Sequence, residues 1–160
     1  MTDSRQLVQV FDSWAGELSP SSFKEFSLPY LRYISENLPK RLKELKLDPV
    51  PMVVFAKGAW YALDSLCDSG YQVVGLDWLQ EPAAAVKIRG SRKVVFQGNA
   101  DPGCLYGSRE AITAVVKEMV DGFGGGKQGW IANLGHGITP GVKPDDLKFY
   151  FSEIHRLTST

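Results

Sequence analysis

Ile131-Ala132-Asn133-Leu134-Gly135-His136-Gly137 is an apolar run that ends in a histidine held between two glycines. Four earlier segments are built alike, each a short apolar strand running into a polar turn, usually with glycine. They are Val8-Gln9-Val10-Phe11-Asp12-Ser13, Val53-Val54-Phe55-Ala56-Lys57-Gly58, Val73-Val74-Gly75-Leu76-Asp77-Trp78 and Val94-Val95-Phe96-Gln97-Gly98-Asn99. Strands that repeatedly present polar groups at their C-terminal ends describe a βα enzyme scaffold with its site at one rim.

The intervening sequence supplies the helices. Ser19-Pro20 reads as an N-cap followed by a first-turn proline. Phe23, Phe26, Leu28, Leu31, Ile34, Leu38, Leu42 and Leu45 then recur at near-helical spacing. Pro29 and Pro39 interrupt that stretch, which predicts a short helix and a longer one in place of a single rod. Ala59 to Asp68 reads as a short helix stopped by Ser69-Gly70, Tyr71 to Leu76 as the third strand, Pro82 to Val86 as a brief helix and Arg92 to Gln97 as the fourth strand. Ser108 caps a helix whose face carries Ile112, Val115, Val116, Met119 and Val120. Gly122 to Gly126 ends it, and Trp130 to Leu134 is the fifth strand. Pro144 opens a final helix with Leu147, Tyr150, Phe151 and Ile154 on its apolar face. Strands too apolar to be half-exposed are expected to be parallel, with helices outside them. A closed (β/α)8 barrel typically takes ~250 residues. Five βα units in 160 residues fit either an open doubly wound sheet or part of a barrel.

Composition narrows the class. Hydrophobic residues make up 44% and charged residues 22%, with a formal net charge of +0. That describes a globular chain with no bulk electrostatic pull toward nucleic acid or a membrane surface. No apolar run approaches the ~20 residues that span a bilayer. Met1 to Gln6 lacks the apolar region of a signal peptide and the Arg and Ser content of a transit peptide. Cys67 and Cys104 make no disulfide framework and fit a reducing compartment, with the cytosol as default. Two Cys and two His without ligand spacing compose no zinc site.

Asp12, Ser13, Lys57, Asp77, Gln97, Asn99, Asn133 and His136 all fall at strand ends. His136 can donate to a carboxylate or move a proton near neutral pH; it can equally be a loop histidine packed on a carbonyl. His155 reads as solvated. Ser13 lacks a Gly-x-Ser-x-Gly context, so it reads either as a donor to substrate or as a turn cap. Asp77, ending an apolar strand, requires a ligand or backbone N–H partners. Turn chemistry accounts for Asp101. Gly122-Phe123-Gly124-Gly125-Gly126-Lys127-Gln128 follows a helix and misses the phosphate-loop spacing. Lys40, Arg41, Lys43 and Lys46 form a solvated basic face.

Phe11 to Gly16, Pro51 to Gly58, Gly70 to Trp78, Gln97 to Pro102 and Asn133 to Gly137 together resemble the C-terminal half of the uroporphyrinogen decarboxylase family, in the family's order and spacing, over about residues 7–157. The resemblance implies the C-terminal portion, about five βα units, of a single (β/α)8 TIM-type barrel, with the N-terminal units absent. It implies a cytoplasmic homodimer that removes carbon dioxide from the four acetate side chains of uroporphyrinogen to give coproporphyrinogen, with no metal or organic cofactor and no nucleic-acid or membrane partner. By this resemblance Ser13 matches a substrate-contacting serine. His136 matches the histidine that meets a substrate carboxylate, as the binding and catalytic residue.

The family's signature Pro-x-Trp-x-Met-Arg-Gln-Ala-Gly-Arg, which carries carboxylate-binding arginines, is not found in the sequence. Nor is the segment leading to Pro-Trp-Thr and Tyr-x-x-Glu. The aspartate that grips the pyrrole N–H groups has no counterpart, and Asp77 does not match it. Without these groups an anionic substrate loses its guanidinium clamps, so the isolated chain is expected to be inactive. The alternative is a non-catalytic half-barrel that binds or complements another subunit. A corrinoid-dependent methyltransferase of the same barrel type is a third reading, disfavoured by the missing His and Cys ligand spacing.

Overall fold

The computed structural model describes residues 7–127 and 129–159; the expectation made for Met1 to Gln6 lies outside them, as does Gln128. The strands are β1 (Val8–Asp12), β2 (Met52–Ala56), β3 (Val73–Gly75), β4 (Val95–Ala100) and β5 (Trp130–Leu134). The helices are α1 (Pro20–Phe26), α2 (Leu28–Glu44), α3 (Leu63–Cys67), α4 (Pro82–Arg89), α5 (Arg109–Gly122) and α6 (Pro144–Thr158). β1 pairs in parallel with β2, β2 with β3, and β4 with β5. The architecture is α/β, with five βα units against the eight of a complete barrel. The chain divides into two compact units, one running to Gly75 with Ser91–Val95 added, the other comprising Leu76–Gly90 and Phe96 onward.

In the first unit β2 is buried along its whole length, as a parallel strand covered on both faces must be. Ser19 caps α1 as its spacing predicts, its hydroxyl accepting the Ser22 N–H at 3.1 Å, and Pro20 takes the first turn. α2 begins one residue after Ser27. The Ser27 side chain does not cap it, because its hydroxyl donates to the Asp12 carboxylate instead. Two buried hydrogen bonds dock α2. Tyr71 donates to the Leu31 carbonyl at 3.0 Å, and Ser35 to the Ser69 carbonyl at 2.6 Å. Burial pushes the Tyr71 phenol up to about 12. Arg92 reaches Asp64 at 2.7 Å and Asp68 at 2.8 Å, which ties Ser91–Val95 to α3.

In the second unit Ser108 caps α5, accepting from the Ala111 N–H. Ile112, Val116, Met119 and Val120 form its buried face. Pro82 opens α4, and the Glu81 carboxylate accepts from the Ala83 and Ala84 N–H groups. α6 packs on α5. There the buried Glu153 carboxylate accepts from Thr113 at 2.8 Å and from Arg156 at 2.7 and 2.8 Å. These bonds, the Arg156 pair first, hold Glu153 down at about 2.

Several expectations require correction. β4 begins three residues later than expected and continues past Gln97 through Gly98-Asn99 to Ala100, so those residues are strand rather than turn. β3 is shorter than expected and α4 longer. The segment from Trp60 begins as a 3-10 turn before α3. β1 and β5 are not covered throughout: Phe11 is 64% exposed and Ile131 43%. Phe151, expected on the apolar face of α6, is half exposed.

Two glycines provide a test of backbone constraint. Gly58 has φ +74°, and a Cβ there would lie 2.8 Å from the Gly16 Cα; Gly90 has φ +57° and open space around it. Gly90→Ala should therefore cost only the backbone strain, about 1–3 kcal/mol, and Gly58→Ala distinctly more, read as the shift in urea midpoint. Glu153 stabilises the fold while ionised. Its contribution is complete above its ordinary value of 4.5 and is lost as pH falls toward about 2. A pH series of denaturation curves should show a flatter acid limb in Glu153→Gln over that window.

Candidate active site

Ser13 stands in the turn that leaves β1, exposed, one residue beyond Asp12. The turn is fixed from below. Ala15 is fully buried, its carbonyl accepts from Tyr61 at 2.8 Å, and Gly16 donates to the Lys57 carbonyl at 2.8 Å. The Lys57 N–H in turn donates to the Asp12 carbonyl at 3.1 Å. Burial, with the Asp12 charge second, raises the Tyr61 phenol above its ordinary value. Ser13 thus presents a hydroxyl from a turn held by main-chain bonds to the end of β2, beside a carboxylate already engaged by Ser27.

The second unit gathers Asp77, Asn99 and the Gly135-His136-Gly137 loop. Asp77 is buried, and its carboxylate accepts from the Leu79 N–H at 2.9 Å. Of its two readings, that is the structural one. Asn99 is buried too. Its amide donates to the Asp77 carbonyl at 3.0 Å and the Gln80 carbonyl at 2.6 Å, so it fixes the turn that carries Trp78. The Gly135 N–H donates to the Ala100 carbonyl at 2.7 Å. A Cβ on Gly135 would lie 2.6 Å from the Trp78 nitrogen and 2.9 Å from the Asn99 carbonyl oxygen. Only glycine lets the loop lie flat on that main chain. His136 then emerges exposed, with its ring 6.2 Å from the Trp78 indole centroid at an interplanar angle of 63°. Farther along the loop, the Tyr106 and Thr139 hydroxyls are hydrogen-bonded at 2.6 Å.

Ser13 belongs to the first unit and His136 to the second, and each is placed by its own unit's backbone. Trp78 and the Tyr106–Thr139 pair also flank the His136 loop. No local pattern marks them, because all three act through contacts distant in sequence. A cleft of about 360 Å³ in the second unit is lined by Trp78, Pro82, Asn99, Asp101 and Met119, among others. Its polar groups serve the fold: Glu81 caps α4, Asn99 spans two carbonyls, and Asp101 accepts from the Gly103 N–H at 2.8 Å. His155 is exposed. Among the described residues no three His, Cys, Asp or Glu side chains cluster to hold a metal ion, and no helix is long and apolar enough to cross a membrane.

Parallel βα units with polar side chains on the turns after β1 and β5 define a βα enzyme scaffold. Comparison with known proteins gives the family. The uroporphyrinogen decarboxylase (URO-D) family model matches residues 3–157. Uroporphyrinogen decarboxylase of Schizosaccharomyces pombe is 62% identical over 154 residues, an alignment covering 96% of this chain and 43% of the relative. Its namesake from Homo sapiens is 44% identical over 151 residues, covering 94% and 40%. The chain belongs to the uroporphyrinogen decarboxylase family and spans less than half the length of these relatives. Among solved structures, a methyltransferase from Methanosarcina mazei superposes with a TM-score of 0.79 at 17% identity, covering 98% of this chain and 43% of the other. At that identity the likeness is one of fold alone.

Asn99→Ala would remove the amide donor from the Gln80 carbonyl and from the Asp77 carbonyl, which also accepts from the Gln80 N–H at 3.2 Å. A loss of about 1–3 kcal/mol is expected, measured by chemical denaturation. The altered Trp78 turn should also appear as a changed indole emission.

Proposed function

We propose that this chain supplies part of a uroporphyrinogen decarboxylase site and acts on uroporphyrinogen, releasing carbon dioxide from its four acetate side chains to give coproporphyrinogen. The family match over nearly the whole chain carries this reading, and the exposure of two polar residues supports it. His136 stands exposed on a loop seated on rigid main chain, where an imidazole can donate to a carboxylate or deliver a proton. Ser13 stands exposed on a turn held at both sides, where a hydroxyl can donate to a second carboxylate. Holding an anionic tetrapyrrole at several fixed points orients the acetate that reacts.

In this reading the 160 residues correspond to the C-terminal portion of the family's barrel domain. The arginines that clamp the substrate and the aspartate that faces its pyrroles come from sequence this chain does not contain. The reaction runs without metal or organic cofactor, in the cytoplasm and as a homodimer. The exposed flank of β1 (Phe11 64%, Leu7 52% exposed) favours a second reading, a half-barrel that complements another polypeptide.

The test is coproporphyrinogen formation by the purified chain under anaerobic reducing conditions, alone and mixed with a polypeptide carrying the family's N-terminal signature. No turnover alone, turnover in the mixture, and its loss in His136→Ala by roughly two orders of magnitude are the expected results. Ser13→Ala should reduce turnover about tenfold, in line with one lost hydrogen bond to a charged group. A mixture whose turnover survives His136→Ala would overturn the assignment.

A further inference from the structure

Tyr106 ends a 3-10 turn that follows β4, and Thr139 lies on the His136 loop that follows β5. β4 and β5 are parallel neighbours, so both residues leave the sheet at its C-terminal rim, the side on which βα scaffolds bind ligands. Neither is a loose surface group. The 3-10 turn is anchored by the buried Pro102 and Leu105 and by the Asp101 carboxylate on the Gly103 N–H. Thr139 starts a turn of its own, its carbonyl accepting from the Val142 N–H at 3.2 Å. The chain then passes directly against the phenol: a Cβ on Gly141 would lie 2.9 Å from the Tyr106 hydroxyl oxygen.

The two hydroxyls are hydrogen-bonded at 2.6 Å, and both residues are exposed, Tyr106 at 58%. Each hydroxyl carries one proton and can accept as well as donate. Their mutual bond uses one of the two protons, whichever hydroxyl donates. The other proton has no acceptor among the described residues. A hydroxyl that donates while accepting a bond donates more strongly, and an ionised carboxylate is the acceptor that gains most from it. Thr139 stands three residues beyond His136, which keeps their Cα atoms within about 11 Å. A single ligand with several carboxylates can therefore reach both.

We propose that Tyr106 and Thr139 form a carboxylate-binding pair on the His136 loop, donating their remaining O–H to a second carboxylate of the ligand that His136 meets. That this ligand is uroporphyrinogen rests on the function proposed above; that the pair offers a donor rests on its own geometry. The pair carries no charge, so it selects where a carboxylate sits and leaves the bulk of the attraction to cationic groups.

The test is the dissociation constant of uroporphyrin, an oxidised tetrapyrrole bearing the same carboxylate side chains, measured by porphyrin fluorescence on the purified chain. Tyr106→Phe and Thr139→Val each break the mutual bond and leave one hydroxyl able to donate, so each should weaken binding roughly two- to threefold. The double variant has no donor left and should weaken it roughly tenfold, the equivalent of one hydrogen bond to a charged group. Thr139→Ser keeps the hydroxyl and should bind as the wild type does. A double variant that binds no more weakly than either single overturns the proposal, since a bond that only ties the loop is lost with the first hydroxyl.

If the double variant is unfolded by circular dichroism, the wild type decides. The NMR signals of the Thr139 methyl and the Tyr106 ring, assigned from the single variants, should move saturably with uroporphyrin, and signals that stay in place overturn the proposal. So does a wild-type chain that binds no uroporphyrin, while turnover in the two-polypeptide mixture still judges the function. Affinity that falls in His136→Ala and holds in the double variant would remove the pair and leave the function standing. The reverse pattern would keep the pair and remove the histidine's part.

Discussion

Main chain laid directly on main chain is the constraint from which the rest follows. In the first unit Gly16 and Gly58 meet Cα to Cβ position at 2.8 Å, joining the turn after β1 to the turn after β2. In the second, Gly135 rests on the Asp77–Trp78 peptide. A methyl group at either contact would force the backbones apart, and the exposed side chain beside it, Ser13 or His136, would move with them. The polar residues of these turns owe their placement to the lack of side chains next to them. Rigid support under an exposed functional group is also what lets it act without reorganising.

Around these contacts the buried polar groups are nearly all spent on structure. Asp77, Asn99, Ser35, Ser69 and Glu153 each have a bond that closes a turn or docks a helix. This division of labour separates residues that look alike in sequence: a strand-end aspartate serves the fold, while the histidine two strands later serves the solvent-facing side. Burial decides between them, since a buried carboxylate without bonds would be too costly to keep.

Much of this was legible before any coordinates. Ser19-Pro20 and Ser108 announced their helices because a cap is a local device, complete within four residues. The fifth strand, Trp130 to Leu134, agrees with the sequence expectation to the residue. Gly98 and Asn99 mislead, because a polar residue beside glycine normally marks a turn. Here they continue β4, and the Asn99 amide is satisfied by carbonyls some twenty positions earlier in the chain. Apolarity predicts that Phe151 and the strands β1 and β5 are covered, yet composition cannot tell a covered face from an open one, and Phe11, Ile131 and Phe151 are exposed. The Trp78–His136 pair was illegible for a related reason: two residues in unrelated motifs meet only once the loop has been seated. The family itself was readable because its motifs keep their order along the chain.

The division of the chain also bears on its synthesis. The first unit takes back the short segment Ser91–Val95 after Leu76–Gly90 has been given to the second, with Arg92 reaching Asp64 and Asp68. Neither unit is continuous in the polypeptide. As the chain emerges from its N-terminus, the first unit can close only after residue 95 has appeared. The fifteen residues from Leu76 to Gly90 must wait meanwhile for α5 and β5 to arrive. A single cut cannot part the two bodies cleanly: one made after Val95 would free every residue of the first unit but carry Leu76–Gly90 of the second away with it.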